Sequence, residues 1–371
     1  IIFILIGFST YSTIFIRASQ EPRINENSPD TLEEALSYMN RDQYGDWSIF
    51  DRASTIKRDE NSYWQRYTNN KSNPTASETF QFIWDYQIKE MYLRYFGWQF
   101  IGREKFEDRT WEIKKLDGTP IKKLQGIDWT RYLIPLAFLF GIAGFGHHFY
   151  NDPKRALALL SLFLATGLMI IIYLNQYDPQ PRERDYSYVG SFFVFSIWIS
   201  VGICGLLDRI KEYLELKSYD LGGYNKNLPY LVILILIFIS MPFTMMIKDY
   251  KEHDRTGNYV AWDYAYNLLN SCGPNGILFT NGDNDTFPLW YLQEVEEVRK
   301  DVRVVNLSLL NTPWYIDQLK NQEPKVNIEL KDQYIQQLDP INGTAFALGQ
   351  WTNIWDELKN RLDSYFKEKL Q

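Results

Sequence analysis

Four uncharged runs decide how this chain is read: YLIPLAFLFGIAGFGHHFY at residues 132–150, ALALLSLFLATGLMIIIYL at 156–174, VGSFFVFSIWISVGICGLL at 189–207 and LPYLVILILIFISMPFTMMI at 228–247. Each is close to the length of a helix that crosses a hydrocarbon core about 30 Å thick, which takes about 20 residues at about 1.5 Å apiece. A soluble helix that long would carry charges on its solvated face, and none of these runs does. Residues 131–247 therefore read as a four-helix transmembrane region. Residues 1–16 are uncharged as well. With no basic flank ahead of them they do not look like a signal peptide, and they are expected to be the back half of a fifth span, truncated by a fragment boundary with more of the protein upstream.

Whole-chain averages hide this pattern. A mean hydropathy of −0.33 and 23% charged residues in 371 resemble a soluble protein because long polar stretches dilute the spans. The net charge of −7 excludes the basic footprint of a nucleic-acid binder. The cysteines Cys204 and Cys272 do not form a disulfide framework, since the first lies inside a span.

The polar segments follow from the spans. Residues 17–130 form a long outer loop region. Turn chemistry dominates at 21–30, and a short helix is expected from Thr31, with Glu33 and Glu34 in its first turn and an end by Gly45. Between Ser77 and Phe96, aromatic and apolar residues recur at three and four positions. This predicts an amphipathic helix with Asp85, Lys89, Glu90 and Arg94 on its polar side, lying at the interface, over the spans, or in the core of a small extramembrane domain. Asp117-Gly118 within 111–126 suggests a hairpin or an irregular loop. Two connectors on one side carry Lys154, Arg155, Arg209, Lys211, Lys217 and Lys226, against Arg182 and Arg184 in the short loop opposite. The positive-inside rule then turns residues 17–130, the 175–188 loop and residues 248–371 outward. The last of these reads as a C-terminal extramembrane α/β domain, with strands near 276–280 and 302–307 around a helix at 287–299, and an amphipathic tail helix at 353–370.

Two loops carry candidate chemistry. In Arg182-Glu183-Arg184-Asp185 the arginines can grip the phosphate of a lipid carrier, with Glu183 and Asp185 orienting them or binding the sugar. A juxtamembrane salt-bridge cluster is the other reading. In Asn281-Gly282-Asp283-Asn284-Asp285-Thr286, Asp283 and Asp285 sit at the carboxyl end of a strand. There they can hold a divalent cation or a hydroxylated ligand, or simply close the turn and cap the next helix.

These loops, together with Ser37–Asp46, Phe96–Arg103, Tyr173–Gln176, Pro181–Tyr186 and the run Asn275–Trp290, resemble the DUF2723 family of multi-span bacterial membrane proteins, abundant in Bacteroidetes. That family is similar to transmembrane O-mannosyltransferases and to GT-C glycosyltransferases, and this chain looks like its C-terminal part. The resemblance implies an inner-membrane enzyme with a periplasmic domain, taking a sugar from a polyprenyl-phosphate donor to hydroxyls of exported proteins. The acidic residue such enzymes keep in their first outer loop has no counterpart here, so no catalytic residue is carried over. A non-catalytic envelope-assembly scaffold that binds glycans or proteins is the alternative. A transporter fits less well, because the spans hold no Asp, Glu, Lys or Arg for a coupling path.

Overall fold

The computed structural model describes residues 2–40, 49–57, 63–216, 228–336 and 338. The described chain is mainly α-helical and divides into two compact units, Ser48–Asp254 and a second made of Ile1–Trp47 with Arg255–Gln371. Lys217, Lys226, the expected helix end near Gly45 and the tail helix at 353–370 lie outside the described residues.

The first unit is built on one long helix. Thr75 and Glu78 cap it reciprocally: the Glu78 carboxylate accepts the Thr75 N–H at 2.7 Å, and the Thr75 hydroxyl accepts the Glu78 N–H at 3.3 Å. It runs as Ala76–Gln81, widens to a π-helical stretch over Phe82–Leu93 and closes as Arg94–Phe100. We call the whole α1. In π-helical turns each N–H reaches five residues back, so the buried stripe advances by four or five: Phe82, Tyr86, Met91, Tyr95. This corrects the expected polar face at Glu90 and Arg94, while Lys89 is exposed and Asp85 half-buried as that face requires. Glu90 is only 3% exposed and Arg94 1%. The hairpin follows, with β1 at Trp111–Lys114 antiparallel to β2 at Pro120–Leu124. Gly118 takes the positive φ of +84° that its turn requires.

Three helices among the described residues are long and apolar enough to cross a membrane: Pro153–Leu174, Asp185–Tyr213 and Leu228–His253. The run at 132–150 falls short of the expected fourth. Tight turns occupy Tyr132–Ile134, and the helix α2 starts only after Pro135, spanning Leu136–Asn151. Its 16 residues make a rod of about 24 Å, under the hydrocarbon thickness of about 30 Å. The helix α3, Pro153–Thr166 continued by Leu168–Leu174, opens on Pro153 with Asp152 as its cap. After it comes α4, Val189–Leu216, entered through a 3₁₀ turn at Asp185–Tyr188. The last apolar helix, α5, runs Leu228–Phe238, takes a π-helical turn at Ile239–Phe243 around Pro242, and ends as Thr244–His253.

Glycines set the contact between α2 and α4. A Cβ on Gly144 would overlap the Trp198 carbonyl, and one on Gly202 would overlap the Phe140 carbonyl, so the two backbones touch as small residues allow. Around them Tyr92, Tyr95, Trp98 and Phe100 of α1 join Phe192, Phe195 and Trp198 of α4 in an aromatic core, with offset and edge-on pairs such as Phe96 on Phe195 at 4.7 Å. The helix predicted at 77–96 thus packs against the apolar helices. Arg131 closes the other end, bonding Asp249 and Glu252 at 2.7 Å each.

In the second unit, α6 spans Val260–Asn270, β3 Ile277–Thr280, α7 Asp283–Glu294, β4 Arg303–Asn306 and α8 Pro313–Asn321. The strands pair in parallel, with Ile277 opposite Arg303, and α7 is the crossover between them. Leu269, Leu289, Leu292 and Val304 form the core. The early helix appears as Leu32–Asn40. The stretch before it is seated on this unit through Arg23 to Glu294 at 3.2 Å and the Gln318 amide to the Asn25 carbonyl at 2.6 Å. Cys204 and Cys272 are both free thiols.

Candidate functional site

The loop between α3 and α4 is fastened to α1 turn by turn. The Gln87 amide donates to Asn175 Oδ1 at 3.2 Å and to the Gln176 carbonyl at 3.1 Å, and the Tyr86 hydroxyl donates to the Tyr177 carbonyl at 2.8 Å. Asp178 is bonded by Arg66 and by the Tyr67 hydroxyl at 2.6 Å, while the second arm of Arg66 reaches Glu90 at 2.8 Å. Burial pushes the Asp178 carboxyl up to about 6 against the opposing pull of Arg66, with the Glu90 charge adding to the rise. Asp51 lends its backbone carbonyl to Asn175 at 3.2 Å. A connector that composition describes only as charged and proline-stiffened is therefore held rigidly from one side.

Its far end carries the first candidate cluster, and the four residues part company. Glu183 turns inward, where it takes Arg94 at 2.7 and 3.3 Å and the Tyr95 hydroxyl at 2.5 Å. Burial pushes its carboxyl up, but the hydrogen bonds and charge of Arg94, with Tyr95 adding, outweigh this and hold it below the usual range. Arg182 is exposed, whereas Arg184 is half-buried, with its Nε covered and unpaired. The Arg182 guanidinium lies 5.8 Å from the Tyr186 ring, and Arg184 reaches the Tyr186 hydroxyl at 3.5 Å. Among the described residues neither arginine has an acidic partner within ion-pair distance.

Tyr186 and Asp185 also line a groove of about 590 Å³. Its walls are Phe100 of α1, Ala137 of α2, Phe192 and Phe193 of α4, and Met241 and Met245 of α5. The result is an apolar trough between helices, to which Arg182 and Arg184 are linked through their contacts with Tyr186. Sequence reading places Glu90 and Arg94 on a helix's polar side but does not join them to the loop or bring in Arg66, Tyr67, Tyr95 and Asp178. The available signal was Glu90 and Arg94, four apart on a helix otherwise rich in aromatics.

The second cluster opens α7. Asp285 accepts the Asn281 N–H at 2.7 Å and the Gly282 N–H at 2.9 Å; the Asn281 bond, with Gly282 adding, holds its carboxyl low against the opposing effect of burial. Its two oxygens thus close the turn. Asp283 is exposed, and its charge, after burial, raises the Glu26 carboxyl. Among the described residues no group of three or more His, Cys, Asp or Glu is placed to share a metal ion. Asp285→Ala is expected to cost the second unit about 1 kcal/mol, as loss of a helix cap does, read by chemical denaturation.

The sequence model of the TMEM260-associated domain 2 matches residues 261–341, less than a quarter of the chain, and no solved structure matches. This corrects the family reading. The resemblance to DUF2723, with the GT-C and O-mannosylation assignments attached to it, gives way to a match in the strand-helix-strand region. The physical reason lies in the longest motif used for that resemblance, Asn275–Trp290, which falls inside the matched window. It spells a strand end, an Asp-closed turn and a helix start. Such residues specify a local connection, which by itself fixes no function.

Proposed function

We propose that this is a membrane protein of glycosyl transfer, which accepts a polyprenyl-phosphate sugar at the 182–186 loop and passes the sugar to a hydroxyl of an exported protein. In this reading all four apolar runs of residues 131–247 lie in a bacterial inner membrane, α2 as a short span. Residues 17–130 and an α/β domain at 248–371 face the periplasm.

One observation carries the reading: Arg182 and Arg184 both contact Tyr186, which lines an apolar groove between helices. An isoprenoid chain suits such a trough, and guanidinium groups suit a phosphate as bidentate donors. When the sugar leaves, negative charge grows on that phosphate, and fixed cations stabilise it. Asp185, at the groove mouth, would meet the sugar or the incoming hydroxyl.

Arg182→Ala and Arg184→Ala are each expected to weaken binding of polyprenyl monophosphate by the full-length protein in detergent about 10- to 100-fold, the worth of one charge-assisted bond. Label transfer from a polyprenyl-phosphate sugar to a peptide should fall with them. Binding without transfer in the unaltered protein would favour the scaffold reading. Unchanged binding in both variants would end the lipid-phosphate reading altogether.

A further inference from the structure

We propose that Tyr95 is a positioning residue for the 182–186 loop, keeping Glu183 away from the two arginines beside it; the role rests on the phosphate-binding reading above. Tyr95 is fully buried, with its ring 5.1 Å from Trp98 and 6.3 Å from Tyr188. Its hydroxyl donates to Glu183 Oε2 at 2.5 Å and accepts the backbone N–H of Arg184 at 3.1 Å. One oxygen atom thus fixes two consecutive residues, drawing the side chain of the first inward while holding the backbone of the second.

Left in a solvated loop, a glutamate between two arginines would pair with one of them and cancel the charge a phosphate needs. Here its carboxylate is filled by Arg94 and Tyr95. Arg94 is itself buried, 1% exposed, lying over Trp98 at 4.5 Å and bonded to the Gln125 carbonyl at 3.2 Å. The consequence is that Glu183 neutralises neither Arg182 nor Arg184, whose charges remain for an external anion.

The test is Tyr95→Phe in the full-length protein, which keeps the ring and its packing. Polyprenyl monophosphate in detergent micelles is expected to bind about tenfold more weakly, as on losing one hydrogen bond to a charged group. The Arg184 amide should exchange faster with deuterium. Adding Glu183→Gln should restore much of the binding, because a neutral amide cannot cancel the arginines. A merely structural tyrosine would show no such rescue. Arg94→Lys, which keeps the charge but not the two-point grip, should weaken binding in the same direction. If Tyr95→Phe binds normally while Arg184→Ala does not, or if Glu183→Gln brings no recovery, the positioning role is wrong and the phosphate site stands. If the arginine variants also bind normally, the phosphate site is what fails.

Discussion

Arg66→Met is expected to destabilise the Ser48–Asp254 unit by about 3–5 kcal/mol, the range for leaving a buried charge without its partner. The side chains of Arg66, Glu90 and Asp178 are 7%, 3% and 2% exposed, so water cannot replace the lost guanidinium. Two carboxylates would then share a desolvated site with only Tyr67 to donate to Asp178. Thermal unfolding in detergent reads the loss. Adding Glu90→Gln and Asp178→Asn should return most of it, because the penalty comes from unpaired charge and not from the missing side-chain volume. An Arg66→Met protein that melts like the unaltered one would mean the three groups are not buried together.

The same site sets a pH dependence. Asp178 binds its proton more tightly in the folded chain, at about 6, than in the unfolded one, at about 3.9. Its contribution to stability is therefore complete below the unfolded value and is lost as pH rises through about 6. Since Arg66 pulls this carboxyl down, the window in Arg66→Met should move to higher pH. Melting curves across that range check both the sign and the shift.

How far the sequence could be read depends on how local each cause is. The runs at 156–174, 189–207 and 228–247 are legible because absence of charge over a bilayer's width is a property of one segment, and all three appear as long apolar helices. The run at 132–150 looks the same by composition, but Pro135 and the turns before it shorten the helix. An ordinary helical period puts Glu90 and Arg94 on the polar side of α1, away from the aromatics. The widened turns of α1 bring them inward, and their partners lie 24 residues back at Arg66 and 89 residues ahead at Glu183. Pairings so distant leave no mark on local spacing. Arg182 and Arg184 stood out as a pattern, yet the inward turn of Glu183 depends on Tyr95, which nothing in the loop itself announces.

Gly144→Leu should prevent the close packing of α2 on α4, at a cost of about 3 kcal/mol or more. The first added carbon would already meet the Trp198 carbonyl and the Gly202 amide nitrogen. Because these are backbone atoms, no rotamer change relieves the overlap, and the helices themselves must separate. Gly146→Leu is the control, two positions along the same helix, where an added carbon meets nothing within 4 Å. It should melt within about 0.5 kcal/mol of the unaltered protein. The consequence reaches the site as well, since Ala137 of α2 and Phe192 of α4 wall the groove. A Gly144→Leu protein that remains folded should hold a lipid phosphate less tightly although Arg182, Arg184 and Tyr95 are untouched, whereas Gly146→Leu should hold it normally. Equal melting of the two variants would show that the helices do not meet along this glycine seam.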